Sequence, residues 1–150
     1  MPEQSGNGTY LGIDYGRKGI GLAIGQRQSG TARPLETLRP EGLEQGLKRL
    51  IEEWQPEALV LGLPLPLDAD QRDNPMIEEI RAFGAALEAR FEIPVAWVDE
   101  ALSTRASQTI FFEGPRKRRE DFRRVKDQLA AALILETWFS VMEQRPLTHG

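Results

Sequence analysis

The chain has 150 residues, of which 40% are hydrophobic and 28% charged, a composition that fits one globular domain with its own core. It contains no cysteine, which excludes disulfides and thiolate metal sites, so a metal ion would need oxygen ligands or the single histidine, His149. The net charge of −4 argues against a protein that is basic over its whole surface. No apolar run is long enough to span a membrane and the start lacks a signal-peptide pattern, so we expect a cytoplasmic protein without membrane contact.

Hydrophobic periodicity predicts strands and helices in an order typical of one α/β domain with a mixed sheet. In chain order these are strands at 9–16, 18–26 and 32–38, a helix at 41–54, a strand at 57–64, a helix at 76–91, a strand at 94–100, a short helix at 103–112 and a long helix at 122–143. The segments 65–75 and 113–121 are predicted loops. We expect a single domain over 9–143, with flexible ends at 1–8 and 144–150.

An aspartate interrupts the apolar pattern of the first strand, in the stretch LGIDYGRKGIGLAIG (residues 11–25). Strand alternation places Gly12, Asp14 and Gly16 on one face, while glycines and an alanine leave one face of the second strand bare. If the two bare faces coincide, Asp14 stands where a ligand or another backbone can approach closely. A packed helix could fill the same space, so the pattern leaves both interpretations open.

Further acids occur at positions where α/β proteins often bind ligands. Asp99 and Glu100 close the strand PVAWVDE at its carboxyl end, although one of them could instead help to start the helix at Ser103. In the last helix a polar stripe is formed by Gln128, Ala132, Glu136, Ser140 and Glu143, so we expect the opposite side to face the sheet. Asp127 lies along the edge of the apolar face of this helix. An acid near a helix start can simply complement the macrodipole, but burial of an unpaired charge is costly and favours a functional role.

Asp14, Glu100 and Asp127 would repel one another in one place unless cations bind between them, and carboxylate ligands suit Mg²⁺ or Mn²⁺. Two such ions can activate a water and stabilise the leaving oxygen of a phosphodiester. The segment PRKRREDFRRVK (115–126) directly precedes Asp127 and carries seven basic and two acidic residues, so it could hold a phosphate backbone. A charge run of this kind is also compatible with a solvated loop.

Four sequence blocks occur in the order of one nuclease family: LGIDYGRKGIGLAIG, LVLGLPLPLDAD, VDEALSTRAS and VKDQLAAALIL. Together they resemble the YqgF (RuvX) family of Holliday-junction resolvase-like and pre-16S rRNA processing nucleases, over residues 9–140. The resemblance implies an α/β, RNase H-like fold, with a five-stranded mixed sheet flanked by helices and the first three strands antiparallel. It also implies that Asp14, Glu100 and Asp127 are catalytic, metal-binding acids, and that hydrolysis leaves a 5′-phosphate and a 3′-hydroxyl.

The resemblance and the charge pattern together predict a nucleic-acid-binding surface around the three acids. Residues 103–105 follow the strand of Glu100 and would sit near the substrate, whereas Lys18, in the first turn, is a weaker candidate. The predicted nucleic-acid-binding residues are Lys18, Ser103, Thr104, Arg105, Arg116, Lys117, Arg118, Arg119, Arg123, Arg124 and Lys126. On this interpretation, the glycines beside Asp14 keep a surface clear for the substrate.

The function that agrees best with these features is a metal-dependent endonuclease that cuts structured RNA or branched DNA by a two-metal mechanism. A non-catalytic RNA-binding ribosome-assembly factor that keeps the fold is the main alternative. The stretch DYGRKGIG also resembles the phosphate hairpin of actin and sugar-kinase domains, but those enzymes enclose a nucleotide between two such domains, and 150 residues supply one. Resolution of a symmetric four-way junction needs two active sites, so a homodimer is a further hypothesis.

Overall fold

The structure of the protein is a computed structural model that describes residues 8–63, 75–99 and 116–144, with the side chains of 8–63, 75–98 and 126–142. The strands are β1 (Thr9–Asp14), β2 (Ile20–Gln26), β3 (Thr31–Leu38), β4 (Ala58–Leu63) and β5 (Val95–Asp99), and the helices are α1 (Leu43–Trp54), α2 (Pro75–Phe91) and α3 (Arg116–Gln144). A short 3₁₀ turn, Pro40–Gly42, leads into α1. The predicted short helix at 103–112, most of the predicted loop at 65–75 and most of the predicted flexible ends lie outside the described residues.

The five strands form one mixed sheet in the order β3-β2-β1-β4-β5. β2 pairs antiparallel with both β1 and β3, whereas β4 pairs parallel with both β1 and β5. The predicted five-stranded mixed sheet, with its first three strands antiparallel, is therefore confirmed. Because β1, β4 and β5 run in the same direction, their last residues meet at one edge of the sheet, which we call the carboxyl edge.

Helices cover both faces of the sheet and create two hydrophobic cores. On one face, Leu11 of β1 packs in a cluster with Leu47 of α1 and Ile80 of α2. On the other face, Tyr10 of β1 packs in a cluster with Ile134 of α3. Alternate residues of one strand thus point into different cores. Within the described ranges, no helix is both long and apolar enough to cross a membrane.

The sequence of strand β4 is continuously apolar, which is typical of a central strand covered on both faces, and the structure shows why it needs that pattern. Leu59, Leu61 and Leu63 enter the core under α1 and α2, and Val60 enters the core under α3, each with 3% or less of its surface exposed. Burial of one such side chain contributes about 1.5–3 kcal/mol. β4 therefore anchors both helical layers to the sheet.

The last helix begins earlier than the sequence pattern indicated. Residues 113–121 were predicted to be a loop and the helix to start at residue 122, but α3 already starts at Arg116. The prediction was wrong because a run of charges without apolar spacing resembles a solvated loop, and because basic residues in a first turn oppose the helix macrodipole. Arginine, lysine and glutamate are nevertheless good helix formers, and that propensity agrees with the observed helix.

The polar stripe of α3 lies against the sheet edge rather than opposite the sheet. Gln128 and Glu136 were predicted to face away from the sheet, but the Gln128 amide nitrogen donates to the Thr37 hydroxyl at 3.1 Å. The Glu136 carboxylate accepts a hydrogen bond from the Ala32 backbone nitrogen at 3.0 Å. Both partners belong to β3, an edge strand whose outward backbone groups lack a neighbouring strand. Glu136 therefore satisfies one backbone donor of that edge, and Gln128 binds a side chain on it.

Candidate active site at the carboxyl edge

Asp14 is the last residue of β1, so it lies at the carboxyl edge, near the ends of β4 and β5. Alternation along β1 places it on the α3 face with Tyr10 and Gly12, whereas Leu11 and Ile13 face α1 and α2. Its side chain is partly buried. Ligand sites of open α/β sheets form at such edges, because the loops that follow parallel strands meet there.

The bare faces of β1 and β2 coincide, since Asp14 pairs with Gly21 across the two strands. The space above them is filled by α3. A Cβ atom at Gly12 would lie 2.6 Å from the carbonyl oxygen of Ala131, and one at Gly21 would lie 2.0 Å from the carbonyl oxygen of Asp127. The interpretation that these glycines keep a surface clear for the substrate is therefore wrong. They allow the helix backbone to touch the sheet.

This close approach of α3 brings Asp127 next to Asp14. Residues directly opposite in an antiparallel pair have Cβ atoms about 4.5–5.5 Å apart, and Gly21 is opposite Asp14. A Cβ at Gly21 would in turn lie 2.8 Å from the Cβ of Asp127. The Cβ atoms of Asp14 and Asp127 are therefore within about 8 Å of each other. Two carboxylates at this separation can bind a common ion, or a pair of ions, between them.

The third predicted acid is not part of this described geometry. Glu100 lies outside the described residues, as do Ser103, Thr104 and Arg105. Asp99, the neighbouring candidate, is the last residue of β5. Among the side chains that the structure describes, no group of three or more histidines or acids could hold a metal ion. The structure thus brings together two of the three predicted acids.

The predicted basic residues that the structure describes lie on two segments. Lys18 is exposed in the turn between β1 and β2, and Lys126 is exposed on α3 directly before Asp127. The others belong to the first part of α3, where the backbone is described: Arg116, Lys117, Arg118, Arg119, Arg123 and Arg124. The basic segment and Asp127 therefore share one continuous helix.

A carboxylate on α2 joins the candidate site, and the sequence patterns did not reveal it. Glu79 accepts a hydrogen bond from the Tyr15 hydroxyl at 2.5 Å and forms an ion pair of 2.8 Å with Arg17. The Tyr15 ring packs on Phe83 of α2, with the ring centroids 4.8 Å apart. Tyr15 follows Asp14 directly, so these contacts fix the end of β1 to α2 on the face opposite α3. No local signal could have identified partners so distant in the sequence.

These contacts also shift the acidity of the groups involved. Hydrogen bonds from Arg17 and then Tyr15 lower the pKa of Glu79 below its ordinary value. The same hydrogen bond to Glu79 raises the pKa of Tyr15 above its ordinary value, with a smaller effect from burial. Glu79 is therefore ionised, and Tyr15 is its neutral donor, across the neutral pH range.

We predict that the Glu79 carboxylate titrates below the ordinary glutamate range, and that Arg17→Gln raises its pKa by removing the largest cause of the shift. A lowered pKa in the folded state stabilises the protein above the unfolded-state pKa, and this contribution disappears as the pH falls through the folded-state pKa. NMR titration of the side-chain carboxyl carbon measures the pKa directly. An identical Glu79 titration in the wild type and in Arg17→Gln would contradict the ion pair.

We predict that Gly21→Ala destabilises the protein by about 1–3 kcal/mol or more, because the added methyl group meets helix backbone rather than a flexible side chain. Urea denaturation measures the loss. Gly42→Ala is the matched control, since a Cβ there meets no atom within 4 Å, and its stability should change by less than about 0.5 kcal/mol. Equal stability of the two variants would contradict the tight contact between β2 and α3.

Comparison with known proteins identifies the family. A model of the RuvX family, described as Holliday junction resolvase, matches residues 8–141. A protein of Methylococcus capsulatus named "Putative pre-16S rRNA nuclease" is 42% identical over 149 residues, which cover 97% of each chain. A protein of the same name from Methylobacillus flagellatus is 43% identical over 142 residues, which cover 92% of this chain and 94% of the relative.

Solved structures with the same fold have lower sequence identity. The Thermus thermophilus RuvC, solved in complex with a Holliday junction substrate, superposes with a TM-score of 0.56 at 21% identity and covers 91% of this chain and 96% of its own. The yeast mitochondrial Holliday junction resolvase Ydc2 superposes with a TM-score of 0.51 at 13% identity, over 93% of this chain and 80% of its own. These similarities confirm the predicted RNase H-like fold. The family match and the close relatives together show that the chain belongs to the RuvX family of nucleases.

Proposed function

We propose that this protein is a divalent-metal-dependent endonuclease that hydrolyses phosphodiester bonds in structured nucleic acid, with Asp14, Asp127 and Glu100 as its catalytic acids. The proximity of Asp14 and Asp127 at the carboxyl edge carries the proposal. The Cβ atoms of the two aspartates lie within about 8 Å, so their carboxylates can face one another, and a hard cation between them would remove their repulsion. The two acids come from a strand end and a helix that are far apart in sequence, and they meet at the edge where ligand sites of open α/β sheets form.

The donor atoms of the site fit Mg²⁺ or Mn²⁺. Asp14 and Asp127 offer only carboxylate oxygens, and the chain contains no cysteine that would favour a softer metal. Glu100 is proposed as the third acid from the sequence, where it closes the segment PVAWVDE directly after Asp99. Two ions bound to these acids would activate the attacking water and stabilise the leaving oxygen, giving a 5′-phosphate and a 3′-hydroxyl.

The other residues of the site would bind and orient the substrate. The basic segment of α3 precedes Asp127 on the same helix, so phosphates held by that segment are placed at a fixed position relative to the acids. Lys18, in the turn after β1, and Lys126, directly before Asp127 on α3, are both exposed and can contact further phosphates. Residues 103–105 complete the proposed contact surface through their position after Glu100 in the sequence.

Among the possible substrates, we favour structured RNA of the pre-16S type. The two relatives described above, each named "Putative pre-16S rRNA nuclease", are 42% and 43% identical to this chain, whereas the two resolvases described above are 21% and 13% identical. Branched DNA is the second candidate substrate. Symmetric junction cleavage would require a homodimer, because one chain supplies one set of acids. Light scattering tests this requirement, and a monomer at working concentration would exclude junction resolution but not RNA processing.

We predict that Asp14→Asn lowers the rate of metal-dependent cleavage by about 100-fold or more, because it removes a metal-binding charge while keeping the side-chain shape. The assay uses labelled pre-16S rRNA fragments, single-stranded RNA and four-way DNA junctions with Mg²⁺ or Mn²⁺. Glu52→Gln, which changes an exposed acid on α1, is the matched control and should cleave like the wild type.

Metal binding gives the same test a second readout. Mn²⁺ should raise the Tm of the wild type but not that of Asp14→Asn, because only binding to the native state stabilises it. Binding of RNA by the wild type without cleavage under any metal condition would favour the assembly-factor function instead.

We predict that simultaneous replacement of Arg116, Lys117, Arg118 and Arg119 by alanine weakens nucleic-acid binding and flattens its salt dependence. Each phosphate contact contributes about 0.7–0.9 to the slope of log affinity against log salt, so the loss of several contacts gives a large change. Fluorescence anisotropy at several KCl concentrations measures the slope. An unchanged slope would exclude a phosphate-binding role for the start of α3.

A further inference from the structure

The described arginine side chains are almost all engaged by neighbours. Ion pairs, ring stacking or the Tyr10 hydroxyl engage Arg17, Arg27, Arg33, Arg49, Arg81 and Arg90. Arg39, exposed directly after β3, is the exception among the arginines whose side chains the structure describes. The acid closest to it in sequence, Glu41, makes no ion pair with it in the described structure. An arginine without a partner on the protein is available to a ligand.

Three exposed cations without a described partner lie around one point, Gly19. A Cβ at Gly19 would lie 3.2 Å from Thr37 Cγ2, 3.9 Å from the carbonyl oxygen of Leu38 and 3.9 Å from Asp127 Oδ2. Three segments of the chain therefore meet there: the first turn, the end of β3 and α3. Each segment carries its cation one residue from this meeting point, and these cations are Lys18, Arg39 and Lys126.

Thr37 adds a neutral donor to the same surface. The Gln128 amide nitrogen donates to the Thr37 hydroxyl oxygen at 3.1 Å, so the hydroxyl keeps its own hydrogen for another acceptor. Thr37 is exposed and lies two residues before Arg39 in the chain. A hydroxyl and a guanidinium two residues apart on one exposed segment suit a phosphate group, since arginine and threonine side chains both commonly contact phosphates in nucleic-acid complexes.

The local charge also favours an anion. Asp127 lies among the three cations, but its charge is committed to metal in the proposed active site. The three positive side chains together raise the local positive potential, which attracts a negatively charged nucleic-acid backbone. Exposed cations are common, so the position of these three at the carboxyl edge matters more than their number. Of the described cations without a partner, only Lys48 on α1 lies away from this edge.

We propose that Arg39 and the Thr37 hydroxyl bind a backbone phosphate of the nucleic-acid substrate, and that the substrate path runs from Asp14 and Asp127 across the end of β3. The contact is to the phosphodiester backbone and is independent of base sequence. The proposal rests on the proposed function, because it extends the binding surface of the same site. It places part of the substrate on the β3 side of the sheet.

The test compares Arg39→Gln with Lys48→Gln, each in the Asp14→Asn background so that the substrate stays intact. Binding of a fluorescein-labelled structured RNA is measured by anisotropy between about 50 and 200 mM KCl. Arg39→Gln should weaken binding about fivefold or more and reduce the salt slope by about 0.7–0.9, the contribution of one phosphate. Lys48→Gln removes the same charge from an exposed position on α1 and should leave the slope unchanged.

Thr37→Val provides a second variant, which should weaken binding without changing the salt slope, because it removes a donor but no charge. Equal slopes for Arg39→Gln and Lys48→Gln, with a wild type that binds and cleaves RNA, would overturn this inference and leave the proposed function intact. A wild type that binds no nucleic acid would overturn both. A selective effect of Arg39→Gln in a protein that binds but does not cleave would support the binding path and count against the nuclease.

Discussion

The contact of the α3 backbone with the β1–β2 face is the constraint on which the candidate site depends. At Gly21 there is room for hydrogen only, since any Cβ would overlap the Asp127 carbonyl. The absence of one methyl group sets how closely the helix approaches the sheet. That distance in turn permits the burial of residues 131–135, the hydrogen bonds of Gln128 and Glu136 to β3, and the position of Asp127 beside Asp14.

The end of β1 is held from both faces of the sheet. Asp14 points to α3, and the next residue, Tyr15, points to α2, where Glu79 and Phe83 hold it. Consecutive residues of one strand therefore connect the acid to two different helical layers. This support suits the metal-binding role proposed for Asp14, because a site works only when its ligands are already held near their productive geometry. If the strand end were flexible, ordering it on binding would cost free energy and weaken the binding.

Sequence patterns predicted the elements whose periodicity is strong and the acids that stand at their ends. The continuous apolar run was sufficient to predict β4. The charge that interrupts the first strand was sufficient to mark Asp14 as a candidate site residue. The start of α3 was missed because charged residues reveal helix propensity but no buried face. The role of Gly21 could not be decided, since a missing side chain serves a substrate or a packed helix equally well. Glu79 and its partner Tyr15 are far apart in sequence, so only the fold brings them together.

The length of α3 has a consequence for where a bound strand would be cut. The helix carries both the proposed phosphate contacts and Asp127, and an α-helix does not bend easily over a few turns. At about 1.5 Å per residue, Arg116 and Asp127 are separated by about 16 Å along its axis. Under the proposed function, α3 therefore sets the distance between the bound phosphate and the scissile bond by protein geometry and not by base sequence.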